Sequence, residues 1–278
     1  MNSNSLLPDF LSSVSIKFAH IEAELGNAAT RGVLWQAAEG RFLLNVPNVA
    51  RYLVESGRTI IIDPLPGADV TTIERFLRMT PLAALLFQQG RLAFHAVAIA
   101  NEHGAVVIAG DSGAGKSTLM TELLLRGWKM LADEPVAVDL DAQGHAMVYP
   151  AFTKIALWPD TIKKLGIASD ALSFGDANRQ EYSSPEQLIY NPQPLRALYY
   201  LYTHSKNNCE LEALEGSKKF NVLGKLMYNS HIADAMCERV AYMRCAISIS
   251  QSAPINLLRR PRDKWSVDEL ADMISTQA

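Results

Sequence analysis

The residues with the clearest chemical potential form one glycine-rich segment. It consists of Gly110, Asp111, Ser112, Gly113, Ala114, Gly115, Lys116, Ser117 and Thr118. This segment fits the pattern G-x-x-x-x-G-K-[ST], in which backbone N–H groups cradle a chain of phosphates. The lysine would reach the β- and γ-phosphates, and the hydroxyl of Ser117 would hold Mg²⁺. The pattern therefore predicts a site for ATP and Mg²⁺.

The flanking sequence supplies the context that this pattern requires. Residues 105–109 are apolar and predict a buried strand, while residues 117–126 predict a helix. A helix N-terminus directed at the loop adds its positive dipole end to an anion site. The alternative, a glycine-rich turn that binds nothing, is disfavoured by this order of strand, loop and helix.

An acidic pair follows the predicted helix after one further strand. Asp133 and Glu134 come directly after the apolar stretch 128–132. Ligands of open α/β sheets bind at the carboxyl ends of strands, so the pair and the loop are predicted to face one crevice. A carboxylate at this position would either hold Mg²⁺, directly or through water, or take a proton from an incoming hydroxyl group. The alternative is an acidic turn before a proline.

Histidine and cationic residues form a second set of candidates. His95 stands in the apolar stretch 91–100, which is predicted to pair with the strand that leads into the loop; it is either a catalytic residue or a hydrogen-bonded core residue. Arg179 is a candidate clamp on phosphate or substrate, and the arginines within 259–262 are candidates for contact with an anionic substrate. The alternative for these arginines is an exposed loop. The lysines 163–164 are predicted to form a solvated helix face.

Hydrophobic patterning divides the chain into three parts around these residues. Residues 1–13 are predicted to be a flexible N-terminus, 14–90 a β-rich extension packed on the core, and 91–278 the domain with the phosphate loop. Within the last part, residues 105–132 are predicted to form one βαβ unit.

The region after residue 195 is predicted mainly from periodicity. Residues 213–238 are predicted to be helical with an interruption at Gly224, residues 241–251 to be a strand, and residues 267–274 a closing helix.

Composition excludes several classes of protein. The 278 residues carry a net charge of −3 and 49% hydrophobic residues, which indicates no nucleic-acid partner and no attraction to an anionic membrane surface. Neither a signal peptide nor an apolar stretch of the ~18–20 residues needed to span a bilayer is present. The three cysteines have no metal-like spacing. These features predict a cytoplasmic protein.

The run from His95 to Glu134 resembles the catalytic domain of bacterial HPr kinase/phosphorylase. The family pattern is a histidine before a hairpin, a G-D-S-G-x-G-K-S loop, a helix that ends in Arg-Gly, and a strand that leads into an acidic pair. All four features occur here in the same order and spacing. A weaker likeness continues to the C-terminus and includes the Leu-Trp pair at 157–158 and the segment 258–263.

This resemblance implies a fold and a role for each of the site residues. The fold would be an α/β mixed sheet around the phosphate loop, flanked by helices and shared with phosphoenolpyruvate carboxykinase. Asp133 would be the catalytic carboxylate working with His95, while Lys116 and the loop amides would hold the phosphates. Ser117 and the acidic pair would hold the metal. The classical relatives form hexamers, so a homo-oligomer is among the expectations.

Three departures from the family pattern argue against HPr itself as the substrate and against a phosphorylase reaction. Glu134 replaces the usual second aspartate, the downstream Arg-Gly-x-Gly signature is absent, and the first ~90 residues do not resemble the separate N-terminal domain of the classical enzyme. A closer likeness is to shorter HPr-kinase-like proteins, which include kinases that modify lasso peptide precursors. The stretch Leu-Trp-Pro-Asp at 157–160 is part of that likeness.

Together these observations predict a Mg·ATP-dependent kinase that phosphorylates a Ser or Thr hydroxyl of a peptide or small protein, with a lasso precursor peptide as one candidate. Two alternatives stay open. One is a kinase that acts on a sugar or metabolite hydroxyl through the same phosphate site. The other is a nucleotide-gated binding module without catalysis.

Overall fold

The first part of the chain folds into a six-stranded sheet followed by two helices. The structure is a computed structural model that describes residues 6–152, 155–174, 179–182 and 185–277. The strands are β1 (Ser15–Phe18), β2 (Thr30–Arg31), β3 (Trp35–Ala38), β4 (Arg41–Val46), β5 (Ala50–Glu55) and β6 (Thr59–Pro64), in the spatial order β1-β6-β5-β4-β3-β2. The helices are α1 (Val70–Leu77) and α2 (Thr80–Gln88). Residues 81–87 of α2 are all buried, as expected for a helix that is apolar on every side.

The next elements begin a nine-stranded mixed sheet and carry the glycine-rich loop. They are β7 (Leu92–Phe94), β8 (Ala96–Asn101), β9 (Gly104–Gly110), α3 (Lys116–Leu125), β10 (Lys129–Ala132), β11 (Val136–Leu140) and β12 (Ala146–Val148). β8 lies between β9 and β10 and is antiparallel to both. β9 and β10 therefore run parallel, one strand apart, and their carboxyl ends lie at the same edge of the sheet. The predicted βαβ unit exists with β8 inserted between its two strands.

A small sheet and a long strand come next in the chain. The small sheet contains β13 (Ile155–Leu157), β14 (Leu172–Phe174) and β15 (Gln180–Tyr182), with helix α4 (Pro159–Leu165) after its first strand. The long strand is β16 (Gln193–His204), which is followed by β17 (Glu210–Ala213) and later by β18 (Ile255–Pro261). β16 joins the nine-stranded sheet together, because its first residues pair with β12 and its later residues lie parallel to β9 and β18.

Four helices occupy most of the C-terminal part. They are α5 (Ser217–Leu226), α6 (Ser230–Met236), α7 (Arg239–Ser252) and α8 (Val267–Gln277). The helical stretch predicted for 213–238 is interrupted at residues 227–229 rather than at Gly224. The strand predicted for 241–251 is wrong, because this segment is α7. Its alternating isoleucines and serines suggest a strand, but its buried residues Cys245, Ala246 and Ile249 have helical spacing.

The central sheet is buried on both faces, and each face packs into its own hydrophobic cluster. Successive side chains along a strand point to opposite faces, so neighbouring residues belong to different clusters. Val97 and Val106 belong to the cluster beneath α3 and α8, whereas Ala98 and Val107 belong to the cluster shared with α2 and the N-terminal sheet. That second cluster is continuous from β4 to β18, so the N-terminal sheet packs on the central sheet. The mixed α/β class predicted from the sequence is confirmed.

The N-terminal segment is only partly described. Leu6 and Leu11 are buried in the shared cluster, so this portion of the segment predicted to be flexible packs on the body of the protein. The boundary placed between residues 90 and 91 stays a prediction. Among the described residues, no helix is long and apolar enough to cross a bilayer. The three cysteines are free thiols.

Candidate active site

The glycine-rich loop curls back on itself because three of its residues adopt a left-handed backbone. Gly110, Gly113 and Gly115 have φ angles of 151°, 81° and 108°. At Gly110 a Cβ atom would lie 2.2 Å from the carbonyl oxygen of Leu201 on β16, so only glycine permits this close approach of the two strands. The loop therefore closes over the N-terminus of α3, which begins at Lys116.

Lys116 is buried inside this curl, with 8% of its surface exposed. Its Nζ donates hydrogen bonds to the carbonyl oxygens of Gly110 at 2.7 Å and Asp111 at 3.4 Å. Burial lowers the pKa of Lys116, and the charges of Glu134, Asp133 and Asp111 act in the opposite direction. The ammonium is thus a largely desolvated cation at a helix N-terminus, where an anionic group is favoured.

Asp133 follows β10 and lies at the sheet edge that carries the loop. Its N–H donates to the Phe152 carbonyl oxygen at 2.8 Å, and its Oδ1 accepts from the Glu134 N–H at 2.9 Å. Burial raises the pKa of Asp133 to about 6; the neighbouring Glu134 charge also raises it, while the Glu134 N–H, Lys116 and His95 oppose the rise. Asp133 is therefore a carboxyl group that changes protonation close to neutral pH.

His95 interrupts the apolar stretch in which it was expected to lie mid-strand. It stands between β7, which pairs with β11, and β8, which pairs with β9 and β10. Its N–H donates to the Leu226 carbonyl oxygen at 2.8 Å, and its ring lies 6.3 Å from that of Tyr228. Its Nδ1 contacts the Glu134 carboxylate rather than that of Asp133. The bend in the strand thus directs the imidazole to the acidic pair.

One cavity of about 700 Å³ contains most of the residues predicted to form the site. The predicted residues that line it are His95, Ser112, Gly113, Gly115, Lys116, Ser117, Thr118, Asp133 and Glu134. Three loop residues are turned away. Gly110 packs against β16, Asp111 accepts a hydrogen bond from the Tyr200 hydroxyl at 3.1 Å, and Ala114 is buried. The sequence therefore identifies one wall of the cavity.

A second wall comes from α4, Arg179, the end of β18 and the segment after β18. Arg260 donates a hydrogen bond from Nε to the Ala114 carbonyl oxygen at 2.7 Å, and Arg262 also lines the cavity. Arg259 does not line it: its guanidinium contacts Glu212 and the Tyr202 hydroxyl, because side chains alternate along a strand.

Sequence reasoning missed several members of this second wall. Lys164 lines the cavity instead of forming part of a solvated helix face, and its ammonium lies 4.8 Å from the ring centre of Trp265. Trp158 also lines the cavity and has the Arg179 guanidinium 4.5 Å from its ring centre. The family likeness includes Trp158 in its Leu-Trp pair but gives it no role, and no spacing rule identifies Trp265 as a ligand contact.

A metal site at this cavity would need ligands from the substrate. The described residues contain no group of three or more His, Cys, Asp or Glu side chains arranged to hold a metal ion. Ser117, Asp133 and Glu134 nevertheless share the cavity. Mg²⁺ commonly binds through one or two carboxylates together with substrate phosphates, so a small donor set beside a phosphate loop suits this ion.

Two curated relatives and one of the matching solved structures show what this chain is similar to. The HPr kinase/phosphorylases of two strains of Treponema pallidum are each 24% identical to this chain over 171 residues, which cover 62% of this chain and 47% of each relative. The chain thus spans about half the length of these relatives. The HPr(Ser) kinase/phosphatase of Coxiella burnetii overlaps with a TM-score of 0.34 at 11% identity, covering 66% of this chain and 88% of that structure. No protein-family model matches the sequence.

Proposed function

We propose that this distant relative of the HPr kinase/phosphorylases, a member of the HPr kinase-like superfamily, is a Mg·ATP-dependent kinase. It would transfer the γ-phosphoryl group to a Ser or Thr hydroxyl of a peptide or small protein. The observation that carries the proposal is the shared cavity, which is lined by a buried lysine at a helix N-terminus and by a partly buried carboxyl group, that of Asp133. Positioning and electrostatic stabilisation supply most of the catalysis in phosphoryl transfer.

The glycine-rich loop is proposed to hold the phosphate chain. Its N–H groups and the N-terminus of α3 would face the anionic oxygens, and Lys116 would exchange its hydrogen bonds to loop carbonyls for contacts with the β- and γ-phosphates. In a desolvated site such contacts stabilise the charge of the transferring group more strongly than they would in water. Arg260, anchored on the loop carbonyl of Ala114, would keep the loop closed.

Asp133 is proposed as the general base that accepts the proton of the acceptor hydroxyl. A carboxyl group with a pKa of about 6 is ionised at pH 7 and is a stronger base than an ordinary aspartate, which suits it to this role. Glu134, which is in contact with His95, is proposed to have a different role. The histidine would hold this second carboxylate in position beside the metal.

Ser117, Asp133 and Glu134 are the proposed magnesium ligands, as the donor types and the shared cavity suggest. The ion would supply charge neutralisation on the β- and γ-phosphate oxygens. The chain's own contribution is to hold these oxygen donors beside Lys116 while excluding most of the water from that side chain.

The class of acceptor is the least constrained part of the proposal. The curated relatives are named for HPr, a protein substrate, and by analogy we propose a peptide or protein acceptor here. A ribosomally made precursor peptide of the lasso type is one candidate within this class. The cytoplasmic location and formation of a homo-oligomer remain predictions.

The decisive experiment is transfer of radiolabel from γ-labelled ATP to size-fractionated extract of the source cell. Wild-type protein is compared with Lys116→Ala and Asp133→Asn, and with Glu102→Gln as an acid-to-amide control in the exposed β8–β9 turn. We expect label on a peptide or protein fraction with the wild type and the control, and none with the two cavity variants.

Other outcomes would redirect the proposal. Label confined to a small metabolite would support the metabolite kinase instead. Undiminished transfer by Asp133→Asn would exclude Asp133 as the base. ATP binding without label in any fraction, together with nucleotide-dependent capture of a partner, would support a binding module.

A further inference from the structure

The cavity is lined by two chemically different sets of residues. One set consists of the glycine-rich loop, Lys116 and the acidic pair. The other is apolar and aromatic and includes Leu157, Trp265, Val267 and Leu270. A nucleoside triphosphate has the same division, with an anionic chain at one end and a flat, largely apolar base at the other.

Trp265 is tied to the loop through the elements on both sides of it. It lies five residues after Arg260, which donates its hydrogen bond to the loop, and two residues before Val267, where α8 begins. α8 packs against α3, the helix whose N-terminus closes the phosphate loop. Any shift of α3 relative to this segment would disturb the buried contacts of Val267 and Leu270, so the indole has a fixed relation to the phosphate site.

The exposure of Trp265 is unusual for the largest apolar side chain in such a packed segment. Its neighbours Ser266 and Val267 are 6% and 5% exposed, whereas Trp265 is 38% exposed and faces the cavity. The Lys164 ammonium lies 4.8 Å from the ring centre and so holds the indole by a cation–π contact. Because the ring is already held in place, its side chain loses little further conformational entropy when a ligand stacks on it.

We propose that Trp265 is the stacking platform for the base of the nucleotide. The inference rests on the proposed function, because it requires the phosphates to bind at the loop. It goes beyond that function by assigning the nucleoside subsite to the segment between β18 and α8. Trp158 is assigned no contact with the base, because its own segment, at the β13–α4 junction, is not anchored to the loop by Arg260.

The test compares the binding of ATP with the binding of inorganic tripolyphosphate, which has the phosphate chain but no base. Affinities are measured by titration calorimetry with Mg²⁺ for the wild type, Trp265→Ala, Trp265→Phe and the matched variant Trp158→Ala. We expect Trp265→Ala to weaken ATP at least about tenfold, as is typical for loss of a base–aromatic stack, and to leave tripolyphosphate within twofold. Trp265→Phe should retain most of the ATP affinity, and Trp158→Ala should bind both ligands like the wild type.

The result also separates this inference from the proposed function. Equal loss of both ligands in Trp265→Ala would mean a structural role and would overturn the inference, as would unchanged ATP affinity or a selective loss of ATP in Trp158→Ala instead. If the wild type binds neither ATP nor tripolyphosphate, the proposed kinase function fails as well. If it binds both and the Trp265 variants do not discriminate, only the base platform is rejected.

Discussion

Replacing Asp133 with Asn should make the ligand-free protein more stable at alkaline pH, although it removes the proposed base. Burial raises the pKa of this carboxyl from 3.8 to about 6, so its ionised form is less favourable in the folded protein than in the unfolded chain. A difference of about two between the pKa values of the folded and unfolded states corresponds to about 3 kcal/mol. Asn is nearly isosteric, is uncharged and keeps the Oδ1 atom that accepts the Glu134 N–H.

The sign of this effect follows from proton binding in the two states. Below about pH 3 the carboxyl is largely protonated in both states, and up to about pH 4 the variant should differ from the wild type by less than about 1 kcal/mol. As the pH rises from about 4 to 6, the unfolded chain releases the proton while the folded protein retains it, so the wild type loses stability. Above about pH 6 the full difference of about 3 kcal/mol should be present.

The assay is urea denaturation of both proteins at pH 4, 6 and 8, with a chelator and no nucleotide. Fluorescence and circular dichroism must give coincident transitions, so that unfolding free energies can be compared. The exposed-acid control Glu102→Gln should stay within about 0.5 kcal/mol of the wild type throughout. An Asn variant whose advantage is absent at pH 8, or equally large at pH 4, would refute the reasoning.

Four further substitutions probe the loop and its neighbours. Gly110→Ala should lower the free energy of unfolding by about 3 kcal/mol or prevent folding, because its Cβ would collide with a carbonyl oxygen of β16. At Gly113 a Cβ meets open space, so Gly113→Ala should lower it only by the ~1–2 kcal/mol of a left-handed backbone. Equal unfolding free energies for the two variants would contradict the close approach at Gly110. Arg260→Ala removes the hydrogen bond to the loop and should weaken ATP binding about tenfold by calorimetry; an unchanged affinity would show that the loop closes without it. His95→Ala frees the Glu134 carboxylate and should lower kcat by at least about tenfold while ATP affinity stays within threefold; a loss confined to ATP binding would place His95 in the nucleotide site.

The loop and the acidic pair could be placed from the sequence because their signals are local and their strands are related by a simple rule. Glycine, lysine and hydroxyl residues at fixed offsets define the loop, and the apolar run before it forms β9 as expected. The pair reaches the same sheet edge because β9 and β10 are both antiparallel to β8. That relation holds whether the two parallel strands are neighbours, as expected, or are separated by one strand, as found.

His95 and α7 were harder to predict because tertiary contacts override the local pattern. The apolar stretch around His95 is uniform in sequence. Its first part, β7, nevertheless pairs with β11, while its second part, β8, pairs with β9 and β10. The hydrogen bond from the His95 N–H to the Leu226 carbonyl oxygen fixes the bend between them. In α7 the alternation near residue 247 suggests a strand. Burial of Cys245 and Ile249 against the rest of the fold gives the segment helical order instead.

The second wall of the cavity could not be found because its members come from distant parts of the chain. Trp158 and Trp265 are more than a hundred residues apart, and each is an ordinary apolar residue in its own segment. Among the three arginines of 259–262, the sequence could not tell which would face the loop. Strand alternation in β18 directs Arg260 to the cavity and Arg259 to the acidic side chains of β17, and Arg262, just after the strand, also lines the cavity.

The charges of the cavity are arranged for a ligand rather than for the stability of the free protein. Lys116 is desolvated, and its hydrogen-bond partners among the described residues are carbonyl oxygens; Asp133 is partly buried, with its ionised form disfavoured. A phosphate chain would compensate the lysine and the helix N-terminus, and a divalent cation would compensate the carboxylates. Each compensating group carries the charge that the other needs, so they stabilise the site best when they bind together. Asp133→Asn should therefore stabilise the ligand-free protein and abolish transfer for the same reason. Both effects follow from a carboxylate whose charge is unfavourable until the ligand and the cation are bound.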